Sequence, residues 1–278
     1  MNNVSITVQY TAGYEKIFEI ASSVGFKYVN MGFGSSDVFE KSDWEEKIYE
    51  IKQKLDKYGL KCSTTHAPYY DLLISAEISS EALDESQKRC VLATKMLGAD
   101  IVAFHPRTHL TNGQSKEKSF KENVKAFTPL VEVAKKCNVK IGIENIPIFP
   151  DHLDIEFYSC YTEDQIKLID FFGSENVCGV WDTGHANLMN YNQADAIKKL
   201  GTRIKATHIH NNHKEMDAHI LPSLGTIDWD GVMSAFKEID YKGDFTSESI
   251  YIDNSLIDLY IKHLYDDLSA LKEIFDKA

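Results

Sequence analysis

Short apolar runs alternate with longer amphipathic stretches along the whole chain. The runs are rich in Val, Ile, Thr and aromatic residues, which is typical of buried parallel strands. They predict strands at 4–10, 27–33, 61–67, 100–106, 139–146, 177–183, 204–210 and 244–251. Helices are predicted between and after them at 14–23, 42–58, 80–97, 117–136, 163–172, 192–200, 229–238 and 254–276. Eight strands that alternate with eight helices favour an α/β fold, the (β/α)8 TIM barrel.

A doubly wound open sheet is the alternative for such an alternation. The count of eight favours the barrel, and the first strand is followed by no GxGxxG turn. The chain of 278 residues has a length typical of one barrel. It contains no linker rich in Pro, Gly or Ser and no internal repeat, so we expect one domain over 1–278. Ser42 and Thr162 are predicted to cap the helices that follow them.

The composition is that of a soluble globular protein, with 43% hydrophobic and 26% charged residues. The start, MNNVSITVQY, resembles no signal peptide, and no segment is apolar enough to predict a membrane span. Five scattered cysteines without a CxxC pair are typical of reduced thiols. We therefore expect a cytoplasmic protein that makes no membrane contact.

The charge of the chain disfavours nucleic acid as a partner. The formal net charge is −12, and only Arg89, Arg107 and Arg203 among the 30 basic residues are arginines. Proteins that bind nucleic acid usually carry a basic surface that meets the phosphates.

Four residues of metal-ligand type stand at the ends of successive predicted strands. They are Glu144 in KIGIENIP, Asp182 in CGVWDTGHA, His210 in ATHIHNN and Glu248 in DFTSESIY. A barrel brings its strand ends together at one face. A Glu inside an apolar strand is a costly buried charge unless a cation or a basic group pairs with it. These residues predict a site for a divalent cation.

The seventh strand offers two histidines for this site. His208 and His210 are two residues apart, so both face the same side of a strand. His210 lies nearer the strand's end and is the predicted ligand, which makes His208 a neighbour of the ligands or a core residue. His208 remains the alternative.

Other strand ends and the loop after the seventh strand add further polar residues. These candidates for additional metal or substrate binding are His66, His105, His185, Asp217 and His219.

Several segments together resemble the xylose-isomerase-like TIM barrels. The segments are HAPYY, FHP, GIENIP, WDTGHANL, HIHNN and DAHILPSLGTIDW, which span the third to the eighth strand. This superfamily includes sugar and sugar-phosphate isomerases and epimerases, inositol-catabolism dehydratases and the endonuclease IV repair enzymes. The resemblance implies that Glu144, Asp182, His210 and Glu248 match the four metal ligands of the epimerases.

The repair branch implies a larger metal cluster with three zinc ions. By that resemblance His66, His105 and Glu144 would hold one zinc. Glu144, Asp182, His210 and Glu248 would hold the second, and His185, Asp217 and His219 the third. Against this branch stands Gly184, where repair enzymes typically have Cys, together with the acidic charge. Classical xylose isomerases have a Lys where this chain has Ile146, which disfavours their hydride-shift chemistry.

These observations predict a metal-dependent isomerase or epimerase of a keto-sugar or sugar phosphate. Glu144 and Glu248 would transfer the proton through a metal-stabilised enediolate. Mn, Zn, Mg or Co would each suit three carboxylates and one imidazole. The alternatives are an endonuclease IV-like zinc phosphodiesterase that acts on abasic DNA and a non-catalytic sugar-binding barrel. An oligomer is possible, and the sequence does not distinguish a free from a phosphorylated sugar.

Overall fold

A computed structural model gives the fold of the protein. It describes residues 3–34, 37–69, 80–108, 116–151, 153, 155–250 and 254–278. Eight strands lie in these ranges: β1 Val4–Gln9, β2 Tyr28–Gly32, β3 Lys61–His66, β4 Ile101–Phe104, β5 Lys140–Glu144, β6 Val177–Asp182, β7 Ile204–His208 and β8 Phe245–Ser247. Each falls within a predicted strand. Residue 251, at the end of the eighth predicted strand, lies outside the described residues.

The eight strands form one sheet in the order β7-β6-β5-β4-β3-β2-β1-β8, and the strand pairs along it are parallel. Hydrogen bonds join the two ends of this sheet. Ile209 N donates to Thr246 O at 2.6 Å, and Glu248 N donates to Ile209 O at 3.0 Å. These bonds lie just beyond β7 and β8, so the sheet closes. The predicted (β/α)8 barrel is confirmed, and the open doubly wound sheet is wrong.

Helices surround the barrel. In the described ranges they are α1 Tyr14–Val24, α2 Trp44–Lys57, α3 Ser80–Leu97, α4 Lys116–Cys137, α5 Thr162–Phe172, α6 Thr183–Leu188, α7 Gln193–Leu200, α8 Trp229–Glu238 and α9 Ile257–Lys277. Eight of them match predicted helices, and the short helix α6 was not predicted. The helix α9 packs against α1, α8 and β1, which completes the outer layer where the chain returns to its first strand.

Two details of the helix ends differ from the prediction. The cap position of α2 is Asp43, one residue after Ser42, and that of α5 is Tyr161, one residue before Thr162. Neither cap residue accepts a side-chain hydrogen bond from its helix. The first residues of α2 and α5 are therefore not fixed by capping hydrogen bonds. Packing of the buried faces of the two helices determines where they begin.

The inside of the barrel has two kinds of polar lining. On the β1–β3 side, neutral groups satisfy one another: Asn30 Nδ2 donates to Thr7 Oγ1 at 3.0 Å, and Thr64 Oγ1 donates to Asn30 Oδ1 at 3.0 Å. On the β5–β8 side, the carboxylates of Glu144 and Asp182 and the imidazole of His208 are buried among neutral polar residues. The buried carboxylates are thus collected on one half of the barrel, and His66, at the end of β3, reaches Glu144 from the other half.

In the part of the chain that the structure describes, no helix combines the length and apolar character that crossing a bilayer requires. The five cysteines are free thiols.

Candidate active site

A cavity of about 920 Å³ opens at the C-terminal ends of the barrel strands. Its polar lining includes His66, His105, His185, Asp217 and Glu248. Active sites of TIM barrels lie at this face, because the loops after the strands converge there. Of the predicted site residues, Glu248 and the five candidates for additional metal or substrate binding line the cavity, whereas Glu144, Asp182 and His210 do not.

Glu144 is the most enclosed charged group of the site. It is the last residue of β5 and has no exposed surface. Its Oε1 lies 2.9 Å from His208 Nδ1 and 3.5 Å from His185 Nδ1. Its Oε2 lies 3.2 Å from His66 Nε2 and 3.5 Å from His105 Nε2. One buried carboxylate thus faces four imidazoles, which come from the ends of β3 and β7, from the segment after β4 and from α6.

Four donors from the last four strands form what we call the inner cage. The cage consists of Glu144, Asp182, His208 and Glu248, and one ligand atom from each lies within 4.8 Å of all the others. His208 Nδ1 lies between two of the carboxylates, 2.9 Å from Glu144 and 3.5 Å from Glu248. The prediction placed His210 in this position. The structure brings His208 there instead, because β7 ends at His208 and His210 lies beyond the strand.

Local structure fixes Asp182 in the inner cage. Asp182 ends β6 and is also the N-cap of α6, where its Oδ1 accepts a hydrogen bond from His185 N at 2.7 Å. The side chain of Asn145 makes two hydrogen bonds to the backbone of Asp182. Asn145 Oδ1 accepts from Asp182 N at 2.7 Å, and Asn145 Nδ2 donates to Asp182 O at 2.9 Å. A helix N-terminus stabilises a carboxylate at this position. The segment DTGH therefore folds so that one Asp both ends a strand and faces the cage.

A second group of donors lies beside the inner cage. It consists of His185, His210, Asp217 and His219, whose ligand atoms also lie within 4.8 Å of one another. The rings of His210 and His219 stack at 3.8 Å with 8° between their planes. Asp217 Oδ2 lies 3.3 Å from His185 Nε2 and 3.1 Å from His219 Nε2. The sequence predicted three members of this group, and the structure adds His210.

The backbone orients three of these imidazoles. Nδ1 of His66 donates to Ala67 O at 2.9 Å, and Nδ1 of His185 donates to Asn145 O at 2.8 Å. Nδ1 of His219 donates to Glu248 O at 2.9 Å. A carbonyl only accepts, so each Nδ1 carries the hydrogen, and a neutral ring then presents a lone pair at Nε2. Each of these Nε2 atoms faces a carboxylate, an arrangement that needs a proton or a cation between the two.

In the protein without a cation, protons on the imidazoles balance the charge of the neighbouring carboxylates. Burial opposes charge on His208, but Glu144 and Glu248 outweigh it and raise the pKa of His208 to about 9. Burial would also lower the pKa of His219, but Asp217 outweighs this effect and raises the pKa of His219 to about 9. Burial would raise the pKa of Glu144, yet His208 and His105 hold that pKa well below its usual value. Glu144 is thus ionised at neutral pH, as a metal ligand must be.

Two buried atoms support the fit of a cation to the second group. His210 Nδ1 and Asp217 Oδ1 make no hydrogen bond to any part of the chain that the structure describes. An unpaired buried polar atom is costly, and a metal ion is one common explanation for it. The donors of the inner cage fit a divalent cation as well, since three carboxylates and one imidazole supply the oxygen and nitrogen ligands that Mn²⁺ or Zn²⁺ accepts.

Gly184 is required where His210 packs. A Cβ at Gly184 would lie 1.9 Å from His210 Cε1, far closer than any real contact. This explains in physical terms why a Cys at this position does not suit the chain.

We expect Gly184→Ala to destabilise the protein by about 1–3 kcal/mol, the usual cost of overpacking, because the buried His210 ring must shift. Gly179→Ala is the matched control. Gly179 lies on β6, the strand that leads into α6 and Gly184, and a Cβ at Gly179 would be 3.5 Å from its nearest neighbour, an ordinary contact. Urea unfolding of both variants measures the difference. Equal midpoints for the two variants would show that His210 does not hold this position.

Several residues of the site were not predicted. Asn145 follows β5 and joins it to β6, while Ser159 Oγ donates to Glu144 O at 2.6 Å. Tyr69 stacks on His105 at 4.2 Å with 26° between the rings. Asn145 stands next to Glu144 in GIENIP, so its position after the strand was a usable signal. The roles of Ser159 and Tyr69 depend on contacts across the barrel, which the sequence does not show.

Comparison with known proteins gives the following similarities. Residues 18–266 match the family model described as "Xylose isomerase-like TIM barrel". A D-psicose 3-epimerase from Enterocloster bolteae is 24% identical over 276 residues, which cover 96% of this chain and 87% of that protein. The solved structure of a D-tagatose 3-epimerase-like protein aligns with a TM-score of 0.78 at 22% identity, over 99% of this chain and 98% of that one.

A solved structure from the other branch also aligns. It is an AP endonuclease, family 2, from Brucella melitensis, with a TM-score of 0.68 at 15% identity over 90% of this chain and 93% of that one. At such low identity the solved structures share the fold with this chain. The alignments by themselves therefore do not distinguish sugar chemistry from DNA repair.

Proposed function

Because the chain belongs to the xylose isomerase-like TIM barrel family, we propose that it is a divalent-metal-dependent epimerase of a keto-sugar. One observation carries the proposal. Glu144 and Glu248, from opposite ends of the β5–β8 half of the barrel, lie 2.9 and 3.5 Å from the same His208 nitrogen. Epimerisation requires one group that removes a proton and another that returns it on the opposite face.

The inner cage is the proposed cation site. Glu144, Asp182, His208 and Glu248 would hold the ion, and His210 would act on it only through its 3.0 Å contact with Asp182. A divalent cation there supplies Lewis-acid chemistry, which polarises a carbonyl and stabilises negative charge on oxygen. The donor set suits Mn²⁺, Zn²⁺, Mg²⁺ or Co²⁺.

The two glutamates have different access to a substrate. Glu248 lines the cavity, so it is the carboxylate that faces a substrate from the open side. Glu144 is fully buried behind the imidazoles and is ionised, because His208 and His105 lower its pKa. We assign removal of the proton from carbon to the ionised Glu144 and return of a proton to Glu248, which must carry that proton when the substrate binds. The reverse direction then starts with the proton on Glu144 and with Glu248 ionised. General acid–base steps of this kind contribute roughly 10²–10⁴-fold each.

Histidines at the cavity wall would hold the substrate oxygens. His185 lines the cavity, and its Nε2 faces Asp217, so the ring can donate to a hydroxyl when it is protonated. Burial would lower the pKa of His185, but Asp182 and Asp217 raise it well above its usual value. His66 and His105 line the neighbouring wall and are available for the same purpose.

The similarity to the Enterocloster bolteae protein supports sugar chemistry over the alternatives. That protein is named a D-psicose 3-epimerase, and the similarity extends over 96% of this chain. The net charge of −12 also agrees better with a neutral or small substrate than with a DNA backbone.

The test is proton exchange on ketoses. Purified protein loaded with Mn²⁺ is incubated with D-fructose, D-psicose or D-tagatose in D₂O, and loss of the C–H signal beside the carbonyl is followed by NMR. We expect deuterium at that carbon together with the epimeric sugar. Exchange without an epimer would remove the two-carboxylate mechanism, and no exchange on any ketose would count against an epimerase.

A zinc-dependent phosphodiesterase acting on abasic DNA is the second candidate. One observation favours it: the second group of donors directly adjoins the inner cage, and His66 and His105 adjoin it on the other side. This function predicts about three metal ions per chain and nicking of a duplex oligonucleotide with one abasic site. Zinc-loaded protein that leaves such a duplex intact excludes it.

A further inference from the structure

We propose that the cavity accepts a keto-sugar that carries an uncharged, apolar group at the end remote from its carbonyl. The inference rests on the proposed epimerase function and adds the class of substrate. It begins from size, because a cavity of about 920 Å³ is near the upper end of the roughly 300–1,000 Å³ range of sites that hold drug-sized ligands. A free hexose fills only a small part of such a space.

The cavity lining is divided into a polar part and an apolar part. The imidazoles, Asp217 and Glu248 occupy the part beside the inner cage, whereas Lys16 and Asp151 line the cavity near the apolar residues in the chain. The apolar part is formed by Tyr14, Ile17, Phe149, Phe157, Ile250 and Ile257. A ligand that matches both parts must itself have a polar and an apolar end.

The apolar residues come from two sides of the barrel mouth. Tyr14 and Ile17 lie on α1, directly after β1, while Ile250 and Ile257 follow β8, which pairs with β1. Phe149 and Phe157 follow β5, and their rings meet edge-on at 5.5 Å. In a ring of eight strands, β5 lies opposite β1. The apolar side chains therefore approach the cavity from opposite walls.

A free sugar is poorly matched to these walls. Each sugar carbon carries an oxygen, and a hydroxyl held against an apolar side chain loses its water without gaining a hydrogen bond. An apolar substituent gains free energy in the same place, in proportion to the area it buries. The side chain of Ile250 is 59% exposed at the rim and is available to be covered.

The charges of the lining disfavour a phosphate ester. Among the described lining residues, Lys16 and Arg107 are basic, whereas Asp151, Asp217 and Glu248 are acidic. Arg107 already pairs with Asp84 through its guanidinium. Among the described lining residues away from the inner cage, Lys16 is then the cation left to meet a phosphate, and the carboxylate of Asp151 lines the same cavity. An uncharged group needs no such counter-ion.

The experiment compares sugars that share one reacting end. The Mn²⁺-loaded protein is given D-fructose, its 6-O-methyl ether, its 6-O-benzyl ether or its 6-phosphate in D₂O, and kcat/KM is measured from deuterium exchange beside the carbonyl. We expect the benzyl ether to exceed the methyl ether by about tenfold or more, which is the discrimination that apolar pockets reach for small groups. The phosphate should fall below D-fructose.

A variant tests whether the rim produces this preference. Ile250→Ser should lower the benzyl-to-methyl ratio of kcat/KM several-fold. Its backbone N–H donates to His219 O at 2.9 Å, a bond that the substitution keeps. Leu259→Ser is the matched control, since Leu259 is 51% exposed on α9 and does not line the cavity. It should leave the ratio unchanged.

The possible results distinguish a failure of the apolar-substituent proposal from a failure of the epimerase proposal on which it rests. Exchange on all four sugars with equal kcat/KM, or fastest exchange on the phosphate, overturns the apolar-substituent proposal and leaves the epimerase intact. An unaltered ratio in Ile250→Ser also overturns it. No exchange on any of the four sugars counts against the epimerase itself, and the inference then falls with it.

Discussion

Glu144→Gln is expected to abolish ketose turnover and to weaken cation binding sharply. The amide keeps the shape of the side chain but cannot accept a proton from carbon, so the acid–base contribution of roughly 10²–10⁴-fold is lost. It also removes one of the three negative charges of the inner cage. The imidazoles of His66 and His208, at 3.2 and 2.9 Å, then lose the carboxylate that they share.

Metal analysis and C–H exchange on the same preparation measure this effect. Glu19→Gln is the matched control, because Glu19 is exposed on α1 and does not line the cavity. It should retain full turnover and metal content. A Glu144→Gln protein that is active and holds its normal metal content would remove Glu144 from both roles.

His208→Asn and His210→Asn are expected to differ, and this difference tests the inner cage. His208 Nδ1 lies 2.9 Å from Glu144 and 3.5 Å from Glu248, so His208→Asn removes a ligand outright. The variant should bind no Mn²⁺ at stoichiometric concentration and should show no exchange. His210 touches the cage only through Asp182, and loss of such a contact usually weakens metal binding by roughly 10–100-fold.

Titration of metal-free protein with Mn²⁺, followed by electron paramagnetic resonance, measures both affinities. His263→Asn is the control, since His263 is exposed on α9. It should bind Mn²⁺ as the parent protein does. If His210→Asn loses the ion and His208→Asn keeps it, the cage has been assigned to the wrong histidine.

The barrel could be predicted from the sequence because its signal is repeated. The eight strands share a content of apolar, β-branched and aromatic residues. An error in predicting one strand would therefore leave the remaining strands to indicate the barrel. The short helix α6 was missed for the opposite reason. Its six residues, TGHANL, follow β6 directly and are too few for helical periodicity to show.

The choice between His208 and His210 shows where the sequence is insufficient. Their spacing puts both on one side of a strand, so the pattern does not say which is deeper. The answer depends on where β7 ends, and β7 ends at His208. His210 then turns against Gly184 of α6 and stacks on His219, which lies further along the same connection between β7 and α8. Such contacts are decided by the closed barrel and have no local signal.

The candidate site lies between these two cases. Glu144, Asp182 and Glu248 were predicted together because acidic residues at the ends of apolar strands are rare and costly. The role of Asn145 and the division of the cavity into polar and apolar parts follow from packing between distant loops. The sequence could therefore predict which types of residue gather at the site better than the shape of the cavity around them.

The central claim, that ketose epimerisation depends on a cation in the inner cage, is tested most directly by C–H exchange on D-fructose before and after chelation. We predict that the protein stripped with EDTA shows no exchange in D₂O and that stoichiometric Mn²⁺ restores it. Exchange that continues unchanged in the stripped protein, with its metal content verified as zero, would contradict the claim.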